Sequence, residues 1–473
     1  MMPSILVRLV TTAASNHRQN NSGTSEFCDS RVCGTCVATR HRWPGLLAVN
    51  VVEADDGRTV VKKLAVALGS LAGLAVTANG YQPLTKRGYL AIYAFSFGVF
   101  ASELPLQLLA SQFALLAAIT RRLSPRLRQF SWLVSALSWL GLLGLNRIGR
   151  QANLPLTAAL DAGLGTDCRT ESGDLWKRPA GAGTAKTPGV IRMTRIYRDY
   201  AHDTDISYGD HGSRNHLDIW RRPDLDRGGR APVLLQVPGG AWMVGSKRQQ
   251  AYPLMSHLAE LGWVCVAINY RLSPRSTWPD QIVDVKQALA WTKEHIAEYG
   301  GNPDWIAITG GSAGGHLSSL AALTANDPQF QPGFEDADTS VRAAVPFYGV
   351  YDFTRTDDAI HSLMVPTLAK YVFKLRRTEL SEAFRTASPI THVSADAPPF
   401  FVLHGRNDSL IPVEQARAFT ARLREVSRQP VVYAEMPFAQ HAFDIFGSVR
   451  ASHAAVAVEQ FLAEVYAKRQ VSV

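Results

Sequence analysis

The chain is 473 residues long, 46% hydrophobic and 19% charged, with 36 Gly and 25 Pro. That apolar content excludes a disordered chain, the glycines follow no collagen-like period, and five cysteines are too few for a disulfide scaffold, so a buried core must carry the fold. The net charge of +9 is lopsided, because residues 1–150 hold 16 Lys and Arg against 6 Asp and Glu. This excess flanks the most apolar stretches instead of a folded basic face, which points to a membrane and away from nucleic acid.

Residues 1–45 are polar, without helical or strand period, and read as a disordered tail with no secretory signal. Cys28, Cys33 and Cys36 within it share their spacing with plant-type iron–sulfur loops, but no fourth cysteine lies near, so they read as reduced thiols. Residues 46–164 form a helical, membrane-associated region. Its uncharged runs Leu64–Thr85, Gly88–Ser102, Leu104–Thr120 and Phe130–Asn146 are punctuated by Lys62, Lys63, Lys86, Arg87, Arg121, Arg122, Arg126, Arg128, Arg147 and Arg150. Cations at such places suit lipid headgroups, and two or three membrane-embedded helices are expected. Leu104–Thr120 is alternatively a re-entrant segment, because Glu103 and Pro105 interrupt what precedes it. The topology and the side of the membrane facing the rest of the chain stay open.

Residues 165–190, rich in Gly and Pro, read as a linker. In residues 191–473 short apolar runs alternate with helical patterns. Strands are expected at Leu217–Trp220, Val233–Val237, Trp263–Asn269, Ile306–Thr309, Ala343–Tyr348, Phe400–His404 and Val431–Met436, with helices between them. This alternation predicts an α/β fold with a mostly parallel sheet covered on both faces.

The strand Ile306–Thr309 runs into Gly310-Gly311-Ser312-Ala313-Gly314-Gly315 and then a helical pattern, which is G-x-S-x-G in the strand–turn–helix setting that gives it meaning. A serine hydroxyl needs a base, and the base an orienting acid. Asp408 follows the next-to-last strand and His441 the last, in the order nucleophile, acid, histidine. Asp444 and Asp352 read instead as cap, turn or lid residues, His404 as a structural residue and His316 as packing. The oxyanion needs prearranged N–H donors. Ala313 offers one, and Gly239 and Gly240 in Pro238-Gly239-Gly240-Ala241-Trp242 are chosen as the others. An unperturbed imidazole as base predicts activity falling below about pH 6–7.

At these residues the chain resembles the hormone-sensitive-lipase-like branch of α/β-hydrolase esterases, over roughly residues 215–465. The resemblance rests on Pro238–Trp242, Tyr270-Arg271-Leu272-Ser273-Pro274, Gly310–Gly315 and the Asp408 and His441 segments. Within the branch it looks like the mycobacterial-type carboxylesterases that carry V-P-G-G-A-W. The resemblance implies an α/β-hydrolase fold, hydrolysis of acyl esters or lipids through an acyl-enzyme, and no metal or organic cofactor. Pro238 stands where the family has histidine, and Gly311 where it has an acidic residue, which removes a charge beside the nucleophile. An amidase or arylformamidase on the same scaffold, or a silent membrane-anchored binding module, are the rival readings. Deleting residues 1–185 is expected to release a soluble catalytic domain. The apolar stretch Leu363–Phe373 is either a lid or acyl pocket, or a packed helix face.

Overall fold

The computed structural model describes residues 57–119, 123–165, 192–355, 365–376 and 379–471. The cysteines at 28, 33 and 36, the 1–45 tail and nearly all of the 165–190 linker lie outside the described residues.

The apolar runs of the first third become helices α1 (Gly57–Tyr81), α2 (Leu90–Glu103), α3 (Pro105–Ile119), α4 (Pro125–Arg150) and α5 (Asn153–Leu164). Pro125 opens α4 in the first helical turn, where its missing N–H costs no intrahelical bond. The break at Leu104, just before Pro105, turns the chain by 97° between α2 and α3. Ala101, Leu142 and Leu145 form a small buried cluster among these helices. Thr77 and Ser138 share a 2.7 Å hydrogen bond between α1 and α4, and both hydroxyls also reach the Gly73 carbonyl, so a small polar network ties the two helices. Many large apolar side chains on the far faces remain exposed, including Leu68, Phe97, Leu115, Leu133 and Leu140. Only the window Leu64–Tyr81 is by itself long and apolar enough to cross a bilayer among the described residues, and the bent α2–α3 pair passes the same test when taken together.

After α6 (Ile196–Tyr200) the chain builds one eight-stranded sheet: β1 (Ala201–Ser207), β2 (His216–Trp220), β3 (Ala231–Val237), β4 (Val264–Ile268), β5 (Gly301–Gly311), β6 (Ala343–Phe347), β7 (Phe400–Gly405) and β8 (Val431–Met436). The spatial order is β1-β2-β4-β3-β5-β6-β7-β8, antiparallel at β1–β2 and β2–β4 and parallel throughout the rest. The inner strands are buried on both faces, as a parallel sheet requires. Strand β1 carries the polar sequence Ala-His-Asp-Thr-Asp-Ile-Ser at an edge, so no apolar run marks it in the sequence.

Helices α8 (Asp280–His295), α9 (Ala313–Leu323) and α11 (Val413–Val426) cover one face. Helices α7 (Tyr252–Glu260) and α12 (Val449–Val471) cover the other. Helix α5 joins this second layer. Leu156 and Leu160 are buried in its apolar cluster, and Gly163 lies so close to β8 that a Cβ there would come within 2.7 Å of the Val432 side chain. Part of the segment expected at the membrane is therefore core. Of the Leu363–Phe373 stretch, residues 363 and 364 are not described. Leu368, Val372 and Phe373 are buried in the main cluster, as a packed helix face would be.

Candidate active site

Strand β5 delivers Ser312 to the start of α9 with φ 58° and ψ −120°, a conformation that side-chain-bearing residues rarely adopt. Two features impose it. The Ser312 amide donates to the Phe347 carbonyl at 3.0 Å, tying the turn to the end of β6. Gly314 lies against the Val237 carbonyl, where a Cβ would collide with backbone, so helix and strand meet only because position 314 carries no side chain.

Asp408 and His441 leave the neighbouring strands β7 and β8 and meet. His441 Nδ1 donates to Asp408 Oδ2 at 2.6 Å, which leaves Nε2 as the proton-accepting nitrogen. The other oxygen, Oδ1, accepts the amides of Leu410 and Ile411 at 2.9 and 2.8 Å. His404 Nε2 lies 3.2 Å from Asp408 Oδ2 and 3.0 Å from the Ile411 carbonyl. Burial alone would push the Asp408 carboxyl up. The charge of His441 and the hydrogen bonds from His404 and His441 outweigh it and hold the group well below the usual carboxylate range. Gln440 joins the two loops, since its Oε1 accepts the Ser409 amide at 2.8 Å and the His441 amide at 2.9 Å.

Tyr348, at the end of β6, links serine turn and histidine loop. Its ring packs on that of His441 with centroids 4.6 Å apart. A Cβ at Gly311 would come within 2.7 Å of its hydroxyl, so this tyrosine occupies the space an acidic side chain at position 311 would need. The hydroxyl donates to buried Asp444, three residues beyond His441. Burial pushes the Asp444 carboxyl up to about 6, against the pull of the Tyr348 hydrogen bond and the His441 charge. The sequence places a cap or turn residue at Asp444 and nothing at Tyr348, whose partners lie 37 residues before it and 93 and 96 after it in the chain.

The oxyanion loop differs from expectation at one position. The Gly239 amide already donates to Gln250 Oε1 at 2.7 Å, and Gln250 Nε2 returns a bond to the Gly239 carbonyl at 3.1 Å. Gly239 is thus a clamped position and not a free donor. Among the described residues the amides of Gly240, Ala241 and Ala313 engage no protein acceptor. Ala241 and Trp242 both hold positive φ, at 52° and 60°. Trp242 Nε1 donates to His316 Nδ1 at 3.2 Å while His316 Nε2 donates to the Ala387 carbonyl at 2.7 Å. Burial pushes the His316 imidazole down to about 4, so it stays neutral and anchors the loop. Tyr270 Oη donates to the Pro238 carbonyl at 2.9 Å, and Arg271 pairs with buried Asp284 at 2.7 Å, which accounts for the Tyr270–Pro274 motif. Asp352 caps a turn through Thr354.

The helical region reaches this site. Asn407 Nδ2 donates to the carbonyls of Gly80 and Tyr81 at 3.2 and 2.8 Å, and Ser409 Oγ to that of Ala91 at 3.1 Å, so both neighbours of Asp408 hold it. Phe95 on α2 sets its ring edge-on to His441 at 5.8 Å. Glu103, at the bend, is buried and ion-paired with Arg450 of α12, and it accepts from Ser448 Oγ at 2.8 Å.

The eight strands in this order, with an antiparallel second strand and the strained serine behind the fifth, place the chain among the α/β-hydrolases. Residues 217–423 match the BD-FAE family model. The chain is 65% identical over 408 residues to the probable carboxylic ester hydrolase LipM of Mycobacterium tuberculosis, covering 86% of this chain and 95% of that one. It is 52% identical to the esterase LipQ of the same organism, covering 70% and 79%, and 46% identical to the esterase LipC, covering 60% and 70%. The chain belongs to this mycobacterial family of carboxylic ester hydrolases, in the hormone-sensitive-lipase-like branch, and its activity is ester hydrolysis. Neither rival, amidase or silent binding module, finds support among these relatives.

Proposed function

We propose that Ser312, His441 and Asp408 hydrolyse carboxylic esters through an acyl-enzyme. The His441–Asp408 bond of 2.6 Å, on the loops beside a serine in strained backbone, carries this reading. Ser312 Oγ attacks the carbonyl while His441 Nε2 takes its proton. Asp408 fixes the tautomer and faces the imidazolium that forms. The amides of Gly240, Ala241 and Ala313 receive the oxyanion. His441 then protonates the departing alcohol and next deprotonates water, which releases the acid. Ser312→Ala should lower turnover by on the order of 10⁶ on a p-nitrophenyl ester, as loss of the nucleophile does where the triad acts as a unit. Near-parental turnover would overturn the assignment.

The helical region is proposed to hold the enzyme in a lipid bilayer. The support is the exposed apolar faces of α1 to α4 together with exposed cations at their ends, Lys86, Arg87, Arg126, Arg128, Arg147 and Arg150. The division into a tail to residue 45, a membrane-associated region to residue 164, a linker to residue 190 and a catalytic domain is proposed with it, with α5 assigned to the catalytic core.

A further inference from the structure

Helix α2 has two unlike faces. On one, the small residues Ala91, Ala94, Gly98 and Ala101 are buried, and at Ala91 and Gly98 the helix lies against the loops that carry Asp408 and His441. Ser409 bonds the Ala91 carbonyl, and a Cβ at Gly98 would come within 3.1 Å of Gln440 Nε2. Phe95 meets the His441 ring from this side. On the other face Leu90, Tyr93, Phe97 and Phe100 recur at spacings of three, four and three, a continuous helical stripe. These four side chains are 67%, 49%, 52% and 44% exposed. One helix about 10 Å across therefore separates the imidazole from an uncovered apolar surface.

The charge pattern commits that surface to one occupant. No charged residue lies between Gly88 and Ser102, while exposed Lys86 and Arg87 stand just before the helix, as at a headgroup boundary above hydrocarbon. At the opposite end the acid Glu103 is withdrawn from lipid by its buried pairing with Arg450. In the bilayer, the ester linkage of an acyl lipid sits at the boundary these cations mark.

We propose that the ester reaches Ser312 from the bilayer along α2, so that the preferred substrates are acyl esters dissolved in the membrane. This rests on the esterase reading and names its substrate class. In it, the exposed stripe of α2 receives the acyl chain from the lipid, and Phe95 borders the chain where it passes His441.

The test uses the full chain in phosphatidylcholine–phosphatidylglycerol vesicles with two substrates, dissolved p-nitrophenyl butyrate and vesicle-borne p-nitrophenyl palmitate. Tyr93→Asp and Phe97→Asp place a carboxylate on the stripe, and Leu68→Asp does the same on an exposed position of α1. Rates are taken per vesicle-bound enzyme, so that weaker anchoring does not enter. The α2 variants should lose about tenfold or more on palmitate, because a carboxylate is strongly disfavoured in hydrocarbon. Butyrate should stay within about twofold, as exposed substitutions usually leave the fold intact. Leu68→Asp should leave both rates in place. Unchanged palmitate rates in the α2 variants, an equal loss in Leu68→Asp, or butyrate falling in step would overturn the proposal. A parental enzyme inactive on both esters would sink the esterase reading itself, which labelling of Ser312 by a phosphonate reads independently.

Discussion

Asp444 shows how a buried acid shapes both the site and its pH response. Its carboxyl keeps its proton to about pH 6 in the folded chain, against 3.8 for the free group, because burial disfavours the charge. The groups facing it are Tyr348 and His441, with Glu103 adding a like charge. A raised acid binds its proton more tightly when folded, so the cost of burial is absent below pH 4, grows between 4 and 6, and is complete above 6. Asp444→Asn should therefore raise the melting temperature at pH 8 and leave it nearly unchanged at pH 4, by a stabilisation on the order of 3 kcal/mol at the alkaline end. Equal shifts at both pH values would contradict this. Gln250, like Tyr348, is a residue to which the sequence assigned no role in the site. It bonds both the N–H and the carbonyl of Gly239, and a separation of eleven positions in the chain hides the pairing from any motif. Gln250→Ala should lower kcat on p-nitrophenyl butyrate tenfold or more with KM little changed, since small misplacements of a positioned donor cost up to about 10²-fold. A change confined to KM would count against a positioning role. The strained turn at Ser312 and the pairing of Asp408 with His441 were legible because each of these residues comes shortly after an apolar strand. The amides were legible only as a group, since which N–H is free depends on a partner elsewhere in the chain.

Among the elements, the inner strands and the helices between them match the expected positions closely, because apolar runs bounded by turn residues mark them. The polar edge strand β1 and the short helix α10 (Leu380–Ala387) carry no such signal. Helix α5 exposes the limit of hydropathy. Leu154 is 60% exposed while Leu156 and Leu160 are buried beside β8. Composition says that such residues avoid water, but not whether lipid or protein covers them. Leu156→Ala should cost about 2–5 kcal/mol of stability by denaturant titration, whereas Leu133→Ala, at an exposed site, should stay within about 0.5. Similar costs at both would place α5 outside the core. At the bend between α2 and α3, Glu103 and Arg450 are buried together as an ion pair. Glu103→Gln strands the guanidinium and should cost about 3–5 kcal/mol, with most of it recovered in Glu103→Gln/Arg450→Met. An unrescued double variant would show that the pair is not the cause.

At the scale of the whole molecule, helices that look like a detachable anchor are built into the catalytic half. Removing residues 1–185 would strip α5 from β8, free Asn407 and Ser409 of their carbonyl partners, and leave Arg450 buried without its acid. The expected outcome is an aggregating chain and not the soluble domain that composition alone suggests. Recovery of a monodisperse, active fragment would refute that dependence. The full chain should float with vesicles and resist washing in 1 M salt, where charges are screened within about 3 Å, because inserted apolar faces do not depend on charge. Release by salt would mean surface attachment only. The proposed chemistry begins at the hydroxyl of residue 312, and peptide mass spectrometry after reaction with a p-nitrophenyl phosphonate reads that hydroxyl most directly. A single adduct on Ser312, lost in His441→Ala, is the result expected. An adduct on a different residue, or none on a chain that still turns over butyrate, would contradict it.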